Sequence, residues 1–115
     1  MVGWRGSGRP SRYGLRFDSC HVNLYRDGSD AVAWHADTVR KVLRDPLVVT
    51  ISLGVRRPFL LRRASGGPVV RRFAPGEGDL LVMGGACQHE WHHTVPRVRS
   101  TTGARMSITL RHSTP

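Results

Sequence analysis

A sandwich or jelly roll built from short strands is the fold class this sequence predicts. Three observations lead there. Eight short runs, many of them β-branched, alternate with Gly, Pro and Asp breakers over about 95 residues from Cys20 onward. The 13 Gly and 7 Pro in 115 residues interrupt any long helix. A hydrophobic content of 39% supplies one modest core, and hence one domain.

Residues 1–16 hold mostly Gly, Ser, Pro and Arg with little apolar periodicity, so they read as an irregular N-terminal segment before a core spanning residues 17–115. The first expected strand, Cys20–Tyr25, alternates His21, Asn23 and Tyr25 with Val22 and Leu24. The second, Val32–Asp37, projects His35 and Asp37 together. Thr38–Arg44 reads as one short helical turn before Pro46. The strands Leu47–Leu53, Phe59–Arg63, Val69–Phe73 and Asp79–Met83 follow, set off by Pro46, Pro58, Pro68 and Gly76–Gly78. Glu90–Val95 and Arg105–Arg111 complete the set. The last carries Arg105, Ser107, Thr109 and Arg111 on one face and Met106, Ile108 and Leu110 on the other. Three strands with complementary polar faces suggest a lined cavity.

Charge narrows the partners. Eighteen basic residues against 8 acidic ones give +10, and all but Lys41 of the basic set are Arg. Such a domain favours polyanions, and nucleic acid is the commonest one inside cells. Arg56-Arg57, Arg62-Arg63 and Arg71-Arg72 form a local basic zone that suits phosphate contacts, although paired arginines also serve as a solvated surface. Two cysteines are too few for a disulfide framework, and the N-terminal stretch lacks the apolar run of a leader. No apolar run reaches the roughly 18 residues that a membrane-spanning helix needs. A cytoplasmic protein without membrane contact is therefore expected.

His35 and Asp37 stand two apart, so both can reach one ion from a strand. A third ligand must come from elsewhere, and Gln88–Pro96 holds His89, His92 and His93. Two His and one carboxylate on one face of an octahedron leave open positions, as in non-haem Fe(II) oxygenases. Structural zinc on Cys87, His89, His92 and His93 competes, weakened because His92 and His93 are neighbours and point opposite ways on a strand. An open Fe(II) site needs a cosubstrate, commonly a 2-oxo acid. An Arg fork on the polar face, Arg105 or Arg111, suits the far carboxylate of such an acid.

The segments NLYRDGSDAVAWHAD, VVTISLGVRRPFLLRR, GEGDLLVMGGACQHEWHHTVP and GARMSITLR occur in that order and cover roughly residues 15–111. Together they resemble the AlkB family of Fe(II)/2-oxoglutarate-dependent dioxygenases, which reverse alkylation damage on nucleic-acid bases. The resemblance implies a mainly β fold with a double-stranded β-helix (jelly-roll) core and few or no helices. It implies Fe(II) held by His35, Asp37 and His93, the last chosen because it precedes Val95-Pro96. It implies 2-oxoglutarate held by Asn23, Tyr25, Arg105, Ser107, Thr109 and Arg111, with O₂ as cosubstrate. The expected reaction is oxidative demethylation of N-alkylated bases in DNA or RNA, releasing formaldehyde, succinate and CO₂. Arg56, Arg57, Arg62 and Arg63 are the expected nucleic-acid contacts. Trp34 and Trp91 suit base stacking but suit core packing better.

The sequence departs from the family in three places. Ser107 replaces the Asn of Arg-x-Asn-x-Thr-x-Arg. Val39 stands where many members carry an acidic residue that reads the damaged base. Only about 20 residues precede the Asn-x-Tyr strand, where the family places buttressing helices and a lid. The last departure predicts an uncovered sheet face carrying Val22, Leu24, Met106, Ile108 and Leu110, with self-association through it. Two other functions compete: a 2-oxoglutarate hydroxylase of a protein or small molecule, and an inactive truncated remnant that binds metal or nucleic acid.

Overall fold

The computed structural model describes residues 2–5, 17–37, 46–85 and 87–112. Among the described residues, nine strands and one short helix follow each other as β1 (Val2–Arg5), β2 (Ser19–Tyr25), β3 (Val32–His35), β4 (Val48–Gly54), β5 (Phe59–Arg63), β6 (Arg71–Phe73), β7 (Asp79–Met83), α1 (Cys87–Glu90), β8 (Trp91–Val95) and β9 (Arg105–Arg111). They form a five-stranded sheet, β1-β7-β4-β9-β2, and a four-stranded sheet, β3-β8-β5-β6. Every pairing is antiparallel. Sequence neighbours are mostly not sheet neighbours, so the chain crosses repeatedly between the two layers, as a jelly roll does.

All eight expected strands are present, five of them with ends shifted by one or two residues. β3 stops at His35, two residues short of the expected Asp37. Cys87–Glu90 form one helical turn, so β8 starts at Trp91 rather than Glu90. One expectation needs correction. Val2–Arg5 pair with β7 as an edge strand, inside the segment expected to be irregular. Four residues are too short a window for periodicity to show, and β7 offers an open row of backbone groups to complete. The expected turn at Thr38–Arg44, including Val39, lies outside the described residues.

Between the sheets sit Tyr25, Val48, Leu81 and Met83 from one layer and Phe59, Leu61 and Val95 from the other, closed by Cys87. The rest of the inner surface is polar. On β4 and β9 it carries Thr50, Ser52, Arg105, Ser107 and Thr109, all buried. The register pairs Ser52 with Ser107 and Thr50 with Thr109, so the small polar groups face one another across the ladder. Outside, Val49, Leu80 and Val82 cluster with Phe17, Leu47, Ile51 and Leu110. Further along that face, Val22 is 52% and Leu24 59% exposed, and Met106 is exposed as well. Ile108 and Leu110 are half-buried. Three of the five residues expected on an uncovered face are therefore exposed, whereas Ile108 and Leu110 are partly covered.

The loops at one end are drawn together by close backbone approach. Gly28 donates to the Thr101 carbonyl at 2.8 Å and accepts from Val98 N–H at 2.9 Å. A Cβ at Gly28 would fall 1.8 Å from the Val98 oxygen, so no other residue fits there without moving the loop. No described helix is long and apolar enough to cross a membrane.

Candidate metal and cosubstrate site

His35, Asp37 and His93 bring one ligand atom each within 4.8 Å of one another. Among the described residues they are the one such group of three or more potential metal ligands. Cross-strand register creates the arrangement, because His35 on β3 pairs directly with His93 on β8. Asp37 lies just past the end of β3, where the chain is free to turn its carboxylate inward. Its two oxygens divide their contacts: Oδ1 stands 4.0 Å from His35 Nε2, and Oδ2 stands 3.7 Å from His93 Nε2. Side-chain exposure is 37% for His35, 9% for Asp37 and 7% for His93, so the group opens to solvent on the His35 side.

Neighbours fix both imidazoles. His35 Nδ1 lies 2.7 Å from the Ala33 carbonyl. It donates there, which leaves the Nε2 lone pair facing Asp37. His93 is stacked on Phe59 at 4.9 Å between ring centroids and packs against the His35 ring at 4.3 Å. Burial pushes the His93 imidazolium down to about 4, against the pull of Asp37 and helped by His35. The ring is therefore neutral, with a lone pair to give, at ordinary pH. Arg111 Nη2 stands 3.5 Å from Asp37 Oδ1.

The cavity beside this group is lined by Asn23, Tyr25, Thr50, Arg105, Ser107 and Thr109 from the five-stranded sheet and by His35, Phe59, His93 and Val95 from the other, with Asp37 between. Arg105 is 2% exposed. Its Nη2 donates to Ser52 Oγ at 2.8 Å. Its Nε and Nη1 are buried with no hydrogen-bond partner. Burial depresses its pKa, offset in part by Tyr25, whose ring lies 5.1 Å from the guanidinium carbon. Tyr25 itself is shifted upward by burial, with Arg105, Ser107 and Arg57 opposing.

The sequence profile of the 2OG-Fe(II) oxygenase superfamily matches residues 6–111. The chain belongs to that superfamily. Within it the relatives are AlkB homologues. DNA oxidative demethylase ALKBH2 of Arabidopsis thaliana is 32% identical over 120 residues, covering 85% of this chain and 38% of that protein. The human alpha-ketoglutarate-dependent dioxygenase alkB homolog 3 is 35% identical over 106 residues, covering 85% of this chain and 37% of its own. The solved structure of OsALKBH1 superposes with a TM-score of 0.71 at 25% identity, over 85% of this chain and 49% of the other. The chain thus spans less than two-fifths of these two sequence relatives. The resemblance to the AlkB family and the jelly-roll fold are both upheld.

The superfamily implies Fe(II), 2-oxoglutarate and O₂, and the residues present fit them. Asp37 Oδ2 is a buried carboxylate oxygen without a hydrogen-bond partner. It lies 3.7 Å from His93 Nε2, while Oδ1 lies 4.0 Å from His35 Nε2, so the carboxylate and two imidazoles form a donor set suited to a divalent transition metal. Arg105 is a buried cation with two spare donors, and none of the described ion pairs gives it a carboxylate. A buried guanidinium left in that state is costly unless an anion joins it. A dicarboxylic acid supplies what it lacks.

Other expected residues fall elsewhere. Cys87 and His89 lie on α1, and His92, opposite Arg62 in register, faces away from His93's partner Leu61. These residues therefore do not assemble a zinc site with His93. Arg57 requires correction as a nucleic-acid contact. It is 1% exposed and donates to the carbonyls of Asp27 at 3.0 Å, Asp30 at 2.7 Å and Pro96 at 2.7 Å. It ties loops together and has no surface to offer phosphate. Arg56 is exposed but engaged with the Ala74 carbonyl at 2.6 Å and with Asp79 at 3.6 Å. Arg62 lies over Trp34 at 4.3 Å, and Arg63 over Trp91 at 4.2 Å with Glu90 nearby. Both tryptophans thus pack under arginines, and Trp91 also borders the core.

Proposed function

We propose that this chain is the catalytic core of an oxidative demethylase that removes N-alkyl groups from DNA or RNA bases. The reaction converts the N-methyl base, O₂ and 2-oxoglutarate into the bare base, formaldehyde, succinate and CO₂. The observation that carries this reading is the meeting, in one cavity, of the His35–Asp37–His93 group and the unpaired donors of Arg105. The substrate class rests on the +10 charge and on relatives named as DNA oxidative demethylases.

His35, Asp37 and His93 would hold Fe(II), which when bound supplies the oxidising power to hydroxylate the N-alkyl group. The chain's own residues do the rest. Arg105 binds the far carboxylate of 2-oxoglutarate through its free Nε and Nη1, while Ser52 steadies Nη2. Asn23, Ser107 and Thr109 offer hydrogen-bonding groups along the same cavity wall, and Phe59 and Val95 exclude water from its other side. The His93 imidazole, kept neutral by burial, keeps a lone pair to offer the metal. The open His35 side is where a base, extruded from its stack, reaches the centre. Arg62 and Arg63, each stacked on a tryptophan, lie on the same sheet as His35 and His93 and are the phosphate contacts retained here. The exposed Val22, Leu24 and Met106 are the surface through which copies of the chain would associate.

Formaldehyde release from a single-stranded oligonucleotide bearing 1-methyladenine or 3-methylcytosine tests the reading. Release dependent on both Fe(II) and 2-oxoglutarate supports it. Succinate formation that the methylated oligonucleotide leaves unchanged points instead to a protein or small-molecule hydroxylase.

A further inference from the structure

The ladder between β3 and β8 ends at the His35–His93 pair, so Asp37 lies beyond the sheet that orients its neighbour. Its backbone nevertheless has a fixed partner. The Asp37 N–H donates to Gln88 Oε1 at 2.7 Å, across 51 residues of chain. Gln88 is 6% exposed, and its Nε2 lies 3.5 Å from Met83 Sδ. The amide orientation is therefore set: the oxygen must meet the N–H, and the NH₂ is left to the thioether.

We propose that Gln88 is the positioning residue for the carboxylate ligand, an inference that rests on the metal reading above. Gln88 sits on α1, which runs directly into β8, the strand bearing His93. One continuous segment thus presents the second imidazole and also ties down the backbone of the carboxylate that must face it. The turn entering α1 is built for this. Gly85 takes φ 59°, and Cys87 N–H reaches back to the Gly84 carbonyl at 3.2 Å. Without the amide oxygen, the Asp37 N–H would turn to water at the open His35 side, and Oδ2 would lose its fixed aim at His93. Packing alone does not explain the residue, because an apolar side chain of similar size would fill the same space without meeting the N–H.

The test is Co(II) titration of the full chain, read by its visible ligand-field bands, in wild type, Gln88→Leu and Gln88→Glu. Gln88→Leu keeps the bulk and loses the acceptor, so its Co(II) Kd should rise about 10- to 100-fold with shifted bands. Gln88→Glu keeps an acceptor, so its bands should stay at the wild-type positions with affinity close to wild type. Wild-type affinity and bands in Gln88→Leu would overturn the assignment, as would a Gln88→Glu variant that fails in the same way as Gln88→Leu. Should Gln88→Leu not fold, hydrogen exchange of the Asp37 amide in the wild-type chain decides. Protection supports the tether, and exchange at the unprotected rate overturns it. Absence of Co(II) uptake by the wild type refutes the metal centre itself, whereas equal uptake by wild type and Gln88→Leu refutes Gln88 alone.

Discussion

Replacing Arg105 by Met separates a cation that holds the fold from one that waits for a ligand. The side chain is almost fully buried, donates to Ser52, interacts with Tyr25, and leaves Nε and Nη1 without a hydrogen-bond partner. Met fills similar space without charge. In the ligand-free protein the change removes a desolvated cation at the cost of its contacts with Ser52 and Tyr25, where a bond to a charged group is worth roughly 1.5–3 kcal/mol. Replacing buried charge by a well-packed apolar residue is often neutral or stabilising. The ligand-free stability should therefore change by no more than about 1.5 kcal/mol. Binding behaves differently. Two charge-assisted bonds to a carboxylate are lost, so 2-oxoglutarate affinity should fall by at least about 3 kcal/mol, or some 100-fold. Wild type at 100 times its Kd gains about 2.7 kcal/mol from the ligand. Under the same conditions Arg105→Met should gain under about 0.5 kcal/mol. The assay is urea denaturation with Mn(II), with and without 2-oxoglutarate. Equal ligand-induced stabilisation of both proteins, or collapse of the ligand-free variant, would refute the reasoning. Arg105→Lys should recover part of the affinity, because an ammonium keeps the charge and loses the fork.

Three further outcomes are expected. Burial holds the His93 imidazolium near 4 in the fold, below its ordinary value of 6.5; the unfolded chain therefore takes up more protons between these values. The contribution of His93 to metal-free stability is full above pH 6.5 and lost as pH falls through about 4; denaturation midpoints across that window should fall more steeply for wild type than for His93→Gln, and parallel curves would count against it. Arg57→Met removes three bonds to backbone carbonyls and should cost about 3 kcal/mol or more in urea unfolding, whereas Arg63→Ala at an exposed side chain should cost under about 1 kcal/mol. Val22→Lys with Leu24→Lys places charge on the exposed face of β2 and should shift sedimentation toward monomer without lowering the unfolding midpoint; an unchanged distribution removes that face as the contact.

Strand positions were legible because alternation and breakers act within a few residues. Sequence alternation alone also separates Arg105, Ser107 and Thr109 from Met106, Ile108 and Leu110. It did not show which set is more buried. On β9 the polar set lies inside, next to the cavity, and Met106 is exposed, because the outer face of β2 and β9 has little packed on it. The His-x-Asp pair was readable as chemistry. The choice of His93 over His89 and His92 came from the resemblance and agrees with a strand register that no local pattern reveals. Gln88 carried no signal at all. Its role depends on a contact 51 residues away, and an isolated Gln before a His-rich run looks like surface. The strand at Val2–Arg5 was missed for a related reason: its stabilising partner, β7, is some 75 residues distant and supplies backbone hydrogen bonds rather than a side-chain pattern.

The two buried arginines show how the structure separates roles that sequence leaves alike. Arg57 and Arg105 both lie beside Tyr25, at 5.5 and 5.1 Å from its ring, and both are 2% exposed or less. Neither is given a carboxylate by the described ion pairs. Burying a guanidinium is tolerated only when its donors are used. Arg57 spends Nη1 and Nη2 on three carbonyls from two loops, so its charge is dispersed into the fold. Arg105 spends Nη2 on one hydroxyl and keeps Nη1 and Nε in reserve inside a cavity. Arg57 also keeps the potential around Tyr25 positive from behind, without competing for the ligand. An anion entering the cavity therefore meets Arg105 with two unpaired donors, whereas Arg57, outside the cavity lining, has both terminal nitrogens engaged and only Nε unpaired. That arrangement suits Arg105 to the carboxylate of the proposed cosubstrate and leaves the loop clamp at Arg57 independent of it.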